Sequence, residues 1–394
     1  MKPLAITAYT LTTALGAGRA PTLEALRSER TGLRPARFLD VELPTWIGAV
    51  EGLDAAMLPA LWNEHDCRNN RLAWLGLQHD SFLEAVARAR GRWGAARVAV
   101  LLGTSTAGLL ETELGYRRRG PAGELPEDIR YEARQNTFSV GAFVRRALEL
   151  RGPTFVVSTA CSSSAKVYAT AARMIDASLV DAAVVGGVDS LCLTTLYGFN
   201  SLELLSPDVC RPWDAQRRGL SIGEAAAFAL LERDPVDPPH AWLLGTGESN
   251  DGYHMSTPHP EGAGAIAAMR AALADAALAP AAIGYVNLHG TATPTNDASE
   301  DAAVRAVLGG DVPCSSTKGA TGHTLGAAGG VEAAICVLAL EHGFIPAGLH
   351  VREPDPALAL PYVRANRHAR LRAVLSNSFG FGGTNASLVL GAAT

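Results

Sequence analysis

Thr154-Phe-Val-Val-Ser-Thr-Ala-Cys-Ser-Ser-Ser-Ala-Lys-Val-Tyr-Ala-Thr170 changes character at its midpoint. Its first six residues are mostly β-branched and apolar and read as a buried strand. From Cys161 onward the residues are small and helix-compatible, so the chain turns from strand to helix at the cysteine. A helix N-terminus supplies free N–H groups and a partial positive charge, and both favour a thiolate. Such a turn also presents the sulphur to a cleft, as a nucleophile elbow does. A free cysteine taken alone is usually a buried hydrophobe; this setting marks Cys161 as a nucleophile.

The alternation of strand and helix continues on both sides. Arg97–Leu102 is a buried-strand run followed by the turn Gly103–Gly108, and Ala182–Gly187 is a further strand. The second half echoes this order. Ile283–His289 precedes Gly290-Thr-Ala-Thr293, Val312–Thr317 leads into a Gly-rich turn and the apolar helix Val331–Leu340, and Val374–Ser378 closes on Gly380-Phe-Gly-Gly383. The Gly-Thr-x-Thr turns at 103–106 and 290–293 follow comparable strands and trace a duplication. Right-handed crossovers then predict two similar α/β units about a pseudo-two-fold, residues 1–240 and 241–394. Leu191–Asp251 reads as irregular connection between them.

The 394 residues are 48% hydrophobic, enough for a large core or two fused ones. A net charge of −5 gives no global field for nucleic acid or membrane, although a local basic patch for an acidic partner stays open. Six scattered cysteines without a CxxC pair argue against a zinc site and a disulfide scaffold. The N-terminus reads as a first strand without a signal core, and the apolar runs are too short to span a bilayer. The expectation is a soluble, cytoplasmic protein with no resident metal.

Two histidines stand apart from the other eight. His289 ends a strand before Gly290-Thr-Ala-Thr293, and His323 lies in Lys318-Gly-Ala-Thr-Gly-His-Thr-Leu-Gly, a small-residue loop opening a helix. Glycine turns let a substrate approach the backbone closely. Lys318, near Glu332 in sequence, is expected to form a fixed ion pair with it. Asn377-Ser-Phe-Gly-Phe-Gly-Gly-Thr-Asn385 lacks the Lys-Ser/Thr of a phosphate loop and is followed by a strand. Its N–H groups suit an oxyanion hole.

Together these residues resemble the elongation-type β-ketoacyl-acyl-carrier-protein synthases of the thiolase superfamily over nearly the whole chain. The signatures are Ser158-Thr-Ala-Cys-Ser-Ser-Ser, Arg211-Pro-Trp-Asp214, Gly223-Glu-Ala, Gly284-Tyr-Val-Asn-Leu-His-Gly-Thr-Ala-Thr-Pro, Ser315-Ser-Thr-Lys-Gly-Ala-Thr-Gly-His and the Asn377–Asn385 turn. The resemblance implies a five-layered αβαβα fold and a decarboxylative Claisen condensation. An acyl chain would sit on Cys161 while malonyl-acyl-carrier protein supplies the attacking enolate.

By the same resemblance His289 and His323 bind the enolate oxygen, and the N–H groups of Cys161 and Phe381 form the oxyanion hole. Lys318 and Glu332 hold His323, Thr291 and Thr293 bind the pantetheine arm, and Phe381 gates an acyl pocket faced by Phe199, Leu110 and Phe138. Arg68 and Arg71 dock the carrier protein, with Arg117–Arg119, Arg217 and Arg218 as further candidates. No cofactor is implied beyond the carrier's phosphopantetheine. The family implies a dimer, either of two identical chains or with a chain-length-factor-like subunit; such factors lack the cysteine.

Lys166 and Tyr168 on the nucleophile helix and the small pair Gly319-Ala320 depart from common fatty-acid enzymes, which leaves polyketide or aryl polyene synthesis open beside fatty-acid elongation. The rival readings are a partner-dependent or non-catalytic subunit and a cysteine-dependent thioester hydrolase. Thiolase chemistry would need a second catalytic cysteine, and Cys314 and Cys336 lie outside the expected glycine turn.

Overall fold

The computed structural model describes residues 1–393 and divides into two units of the same topology. The first contains β1 (Leu4–Thr13), α1 (Arg68–Leu77), α2 (Phe82–Trp93), β2 (Val98–Gly103), α3 (Ser139–Ala147), β3 (Thr154–Val157), α4 (Ser163–Asp176), β4 (Ala182–Asp189) and β5 (Ala225–Glu232). The second repeats the sequence with β6 (Ala241–Asn250), α5 (Ala263–Asp275), β7 (Tyr285–Asn287), α6 (Pro294–Leu308), β8 (Cys314–Ser315), α7 (Ala328–His342), β9 (Ala373–Gly380) and β10 (Thr384–Ala392).

The strands order as β1-β5-β4-β2-β3 in the first unit and β6-β10-β9-β7-β8 in the second. In each, the first three are antiparallel neighbours and the last three parallel. The sheets join where Leu4, Ala5 and Ile6 of β1 pair with Leu243, Trp242 and Ala241 of β6. The repeat begins again at Ala241.

Side-chain alternation along the strands builds the layers. On β2, Val98, Val100 and Leu102 pack against α1, α2 and α3. Ala99 and Leu101 face the opposite way, toward α4 and α7. In the second unit Val286, Leu375 and Val389 pack against α5 and α6, while Tyr285, Val374 and Leu388 face the centre. The result is outer helices, sheet, the α4/α7 pair, sheet and outer helices: five layers.

α7 is buried from Ala328 through Leu340, and 89% of the apolar run Leu325–His342 lies inside the protein, so its hydropathy belongs to a core helix. The two central helices meet through small residues. A Cβ on Gly329 would lie 2.6 Å from the Ala165 nitrogen, so only glycine allows this approach.

The segment Leu191–Asp251 is not irregular. It holds the helix Leu193–Ser201 and the long strands β5 and β6, the latter at the joint of the two sheets. β5 is Ala225-Ala-Ala-Phe-Ala-Leu-Leu-Glu232, buried along its whole length. Alanine is a poor local strand signal, and burial on both faces removes the alternation that marks a strand.

Candidate active site

Cys161 sits between β3 and α4, where Ala160 takes a positive φ of 52°, a conformation non-glycine residues adopt only when the surroundings impose it. The serines hold this turn. The Ser162 hydroxyl donates to the Thr159 carbonyl (2.9 Å), and that of Ser163 donates to the Ala160 carbonyl (2.6 Å) while accepting the Thr159 N–H (2.8 Å). Ser164 accepts the Gly330 N–H of α7 at 2.9 Å, locking the two central helices.

The second unit supplies the partners. His323 Nε2 lies 3.0 Å from Cys161 Sγ, and the His289 and His323 rings meet edge to face, 5.3 Å apart at 84°. The Phe381 N–H lies near enough to the Cys161 sulphur to favour its thiolate. That approach needs a glycine next to Phe381: a Cβ on Gly380 would lie 2.8 Å from the Thr159 carbonyl oxygen.

Lys318 is buried and ion-paired with Glu332. Its other contacts correct the expected role toward His323. The ammonium donates to the His289 carbonyl and lies 3.5 Å from His289 Nδ1. Lysine has donors only, so this contact makes Nδ1 the acceptor and leaves the His289 proton on Nε2. Toward His323, Lys318 acts through its field. Burial, then the Lys318 charge, hold both imidazoles well below the usual histidine range. Both rings are therefore neutral, each with one N–H to donate.

The thiol departs from the expectation of a lowered pKa. Burial pushes Cys161 up to about 12, outweighing the Lys318 charge and the Phe381 N–H. With 5% of Cys161 exposed, desolvation of a thiolate costs more than the helix terminus returns.

Cys161, His289 and His323 line a narrow cavity of about 60 Å³ together with Phe199, Leu204, Leu220, Thr291, Thr293, Phe379 and Phe381. Phe199 and Phe381 close one side, 5.5 Å apart. The Thr291 and Thr293 hydroxyls bond each other at 2.8 Å on its wall. Leu110 does not reach this cavity. It is buried in the cluster of Leu193, Leu196 and Leu220 against which Phe199 packs, so it supports the wall from behind. Phe138 lies on the surface, 58% exposed.

Arg68 requires a correction as a docking charge. It is 9% exposed, with both Glu224 oxygens on its guanidinium and Asp54 beyond, so its charge is spent inside the protein. Burial of such a pair follows from long-range packing that a Cys-Arg-Asn-Asn run does not announce. Arg71 forks onto Asp66, and Arg217 is buried between Asp297 and Asp355. Arg117 pairs with Asp40 and Arg118 with Asp128 at the surface, Arg119 lies over Tyr116, and Arg218 is exposed beside Asp208.

One residue of the site gave no local signal. Glu300 on α6 accepts the His289 and Gly290 N–H groups, each at 2.8 Å, and the Asn377 amide at 3.2 Å. It thereby anchors the His289 turn. Its burial raises its carboxyl to about 7. In sequence it is one acid among Asp297, Glu300 and Asp301 on a polar helix.

The donor atoms of Cys161, His289 and His323 lie within 4.8 Å of one another, a set that zinc also uses. The surroundings favour an anion instead. The Phe381 N–H lies near the sulphur and the Lys318 ammonium stands behind His289, so positive charge already faces the centre. A pre-formed donor cradle of this kind stabilises negative charge developing on a substrate oxygen.

Known proteins share the sequence and the fold. The "Beta-ketoacyl synthase, N-terminal domain" family matches residues 72–236, and the C-terminal domain of the same family matches residues 240–352. The chain is 33% identical to 3-oxoacyl-(acyl-carrier-protein) synthase 2 of Coxiella burnetii, over 98% of this chain and 97% of that one. Among solved structures, the ketosynthase ApeO in complex with its chain length factor ApeC, from Xenorhabdus doucetiae, superposes with a TM-score of 0.90 at 40% identity, covering 99% of this chain and 98% of that one. The ishigamide ketosynthase/chain length factor superposes with the same TM-score at 28% identity, over 99% of each chain. Its thiolase-like fold and the matched domains make the chain an acyltransferase of the β-ketoacyl synthase family.

Proposed function

We propose that the chain elongates acyl groups by decarboxylative condensation on Cys161, with both substrates delivered on the phosphopantetheine of an acyl carrier protein. The observation that carries this reading is one nucleophile facing two neutral histidines, with His323 3.0 Å from the sulphur. In acyl transfer, Cys161 sulphur attacks the incoming thioester carbonyl. The sulphur–carbon bond forms, the carrier's sulphur–carbon bond breaks, and the thiol proton passes to the departing pantetheine sulphur. The N–H groups of Cys161 and Phe381 stabilise the oxyanion of that step.

Malonyl-acyl-carrier protein then loses carbon dioxide, and the electron pair left behind becomes an enolate. A neutral imidazole donates a hydrogen bond without giving away its proton, which is what an enolate oxygen requires of His289 and His323. The enolate carbon attacks the acyl-cysteine carbonyl, forms the new carbon–carbon bond and expels Cys161 as a thiolate, which takes a proton from solvent to restore the thiol. In this reading Thr291 and Thr293 bind the pantetheine arm, and Phe199 and Phe381 swing apart to admit the acyl chain. Among the basic candidates, the exposed Arg118, Arg119 and Arg218 suit carrier docking, and Arg71, paired with Asp66, remains a further one. The two units divide at 240/241, the enzyme works in the cytoplasm, and no resident cofactor takes part.

A partner subunit is the second part of the proposal. β3 is an edge strand whose neighbour β2 is wholly buried, yet Phe155 on β3 is 48% exposed. An open apolar edge is a liability unless another chain covers it. The similarity to ketosynthases solved with chain length factors supports a heterodimer in which this chain carries the chemistry, in a fatty-acid, polyketide or aryl polyene pathway.

The test is incubation with acyl- and malonyl-carrier protein followed by mass spectrometry. A β-ketoacyl product and an acyl mass shift on Cys161 are expected. Hydrolysis of the acyl-cysteine with malonyl ignored would favour a thioester hydrolase. Activity only after a second subunit is added would make the enzyme partner-dependent.

A further inference from the structure

The net charge of −5 conceals a face of one sign. Arg364, Arg367, Arg370 and Arg372 fall within nine residues before β9, and all four are exposed. The short strand Arg367–His368 pairs with Phe344–Ile345, directly after α7. The same segment leans on the helix Arg19–Arg27: the Asn366 amide donates to the Leu26 and Arg27 carbonyls, and its N–H to Glu29. Arg27 and Arg30, both exposed, therefore join the group. Arg27 also lies near enough to His342 to lower its pKa, behind the effect of burial.

None of these six arginines has a carboxylate within 4.0 Å among the described residues. The acids nearest in the fold are few. Glu29 is engaged by the Asn366 N–H, Glu341 by Tyr9 and His240, and Glu24 stands one turn from Arg27. Six arginines against the carboxylates of Glu24 and Glu29 leave a net positive local field that the whole-chain charge hides.

The Arg367–His368 part of the face lies just past the end of α7 that is away from the site, while Arg30 precedes Thr31 and Gly32, which bond Gly319 and Ala320. α7 begins beside Cys161's helix, where Gly330 meets Ser164, and runs about 22 Å to His342. A carrier protein seated here is at the wrong end of α7 to feed the cavity. The face also lacks an anchor for a protein partner. The large exposed apolar side chains, such as Phe138, Phe155, Tyr253 and Met255, all lie elsewhere among the described residues. Specific protein interfaces centre on buried aromatic or aliphatic anchors. A charge-only face suits a surface that supplies many anions at once.

We propose that Arg27, Arg30, Arg364, Arg367, Arg370 and Arg372 form a docking face for an anionic lipid bilayer, holding the enzyme against the membrane surface without insertion. Clusters of four to eight basic residues bind anionic headgroups, and the attraction is screened by salt. The catalytic end of α7 then points away from the bilayer, toward soluble carrier protein.

The test is co-sedimentation of the full chain with vesicles of phosphatidylcholine alone, or mixed with phosphatidylglycerol at roughly three to one. Binding is expected only to the anionic vesicles and is lost as salt is raised. The triple variant Arg364→Ala/Arg367→Ala/Arg370→Ala is expected to partition about a hundredfold more weakly. Its circular dichroism and its condensation rate in vesicle-free solution should match the parent's. Equal binding by the variant, or no binding of the parent to anionic vesicles, overturns the proposal. Capture of acidic carrier protein or nucleic acid through the same arginines, with vesicles ignored, overturns it in favour of a macromolecular partner. Because condensation is read without vesicles, failure here is distinct from failure of the catalytic reading.

Discussion

The two units share one topology and divide the chemistry unequally. After the second strand of each comes a Gly-Thr-x-Thr turn tied down by a buried carboxylate. In the first unit Asp189 accepts the Thr104 hydroxyl (2.7 Å) and the Ser105 and Thr106 N–H groups (2.8 and 2.9 Å). In the second, Glu300 does the same for His289 and Gly290. One turn contributes no residue to the cavity, while the other carries His289 on its wall. After the third strand the contrast reverses: residues 158–162 make a tight elbow with Cys161, and residues 316–327 make a longer loop with Lys318 and His323. A duplicated scaffold thus brings Cys161 of one unit and both histidines of the other to one cavity, because equivalent strand ends converge there.

Removing the nucleophile should have the largest effect. Cys161→Ala is expected to lower condensation at least about 10³-fold and to abolish the acyl mass shift. The corresponding changes in the second unit should separate the two roles. His289→Ala and His323→Ala are each expected to cost about 10²–10³-fold in turnover, while acylation of Cys161 from acyl-carrier protein persists in mass spectra. Loss of acylation in both histidine variants would break the division of labour.

Lys318→Met strands the Glu332 carboxylate in the core, and urea unfolding should register about 3–5 kcal/mol of lost stability. The double variant with Glu332→Leu should recover most of it. A smaller effect distinguishes the two anchoring carboxylates. Burial raises Glu300 from an ordinary 4.5 to about 7. Between those values the folded protein keeps a proton that the unfolded chain has released, so Glu300's contribution to stability falls as pH rises through that window. Glu300→Gln should flatten this slope and lower turnover more than stability. Asp189→Asn should lower stability with no change in the pH profile of turnover. Smallest of all, Arg218→Glu should raise the carrier-protein KM a few-fold without altering turnover.

Local sequence made much of this visible. The switch from β-branched to small residues at Cys161, the strand-ending His289, the loop of His323 and the glycines around Phe381 are all patterns within a few residues. Backbone geometry demands them, and they resemble those of a known family. The duplication was legible from the repeated Gly-Thr-x-Thr turns for the same reason. β5 was not, because an alanine-rich strand buried on both faces has neither β-branched residues nor alternation.

The electrostatics belonged to the tertiary structure. Arg68 and Arg71 are near neighbours in sequence, yet one is buried on Glu224 and the other forks onto a surface aspartate. Glu300 reaches back eleven residues to the His289 turn, and Lys318 meets His289 rather than the closer His323. The arginine face likewise assembles from Arg27 and Arg364–Arg372, distant in the chain and joined through Asn366. Composition and short-range pattern determine which residues can form a strand, a turn or a nucleophilic elbow. Which charges meet, and whether burial or a neighbouring charge sets a pKa, depends on distances of a few ångströms between residues far apart in sequence, and only the packed fold sets those.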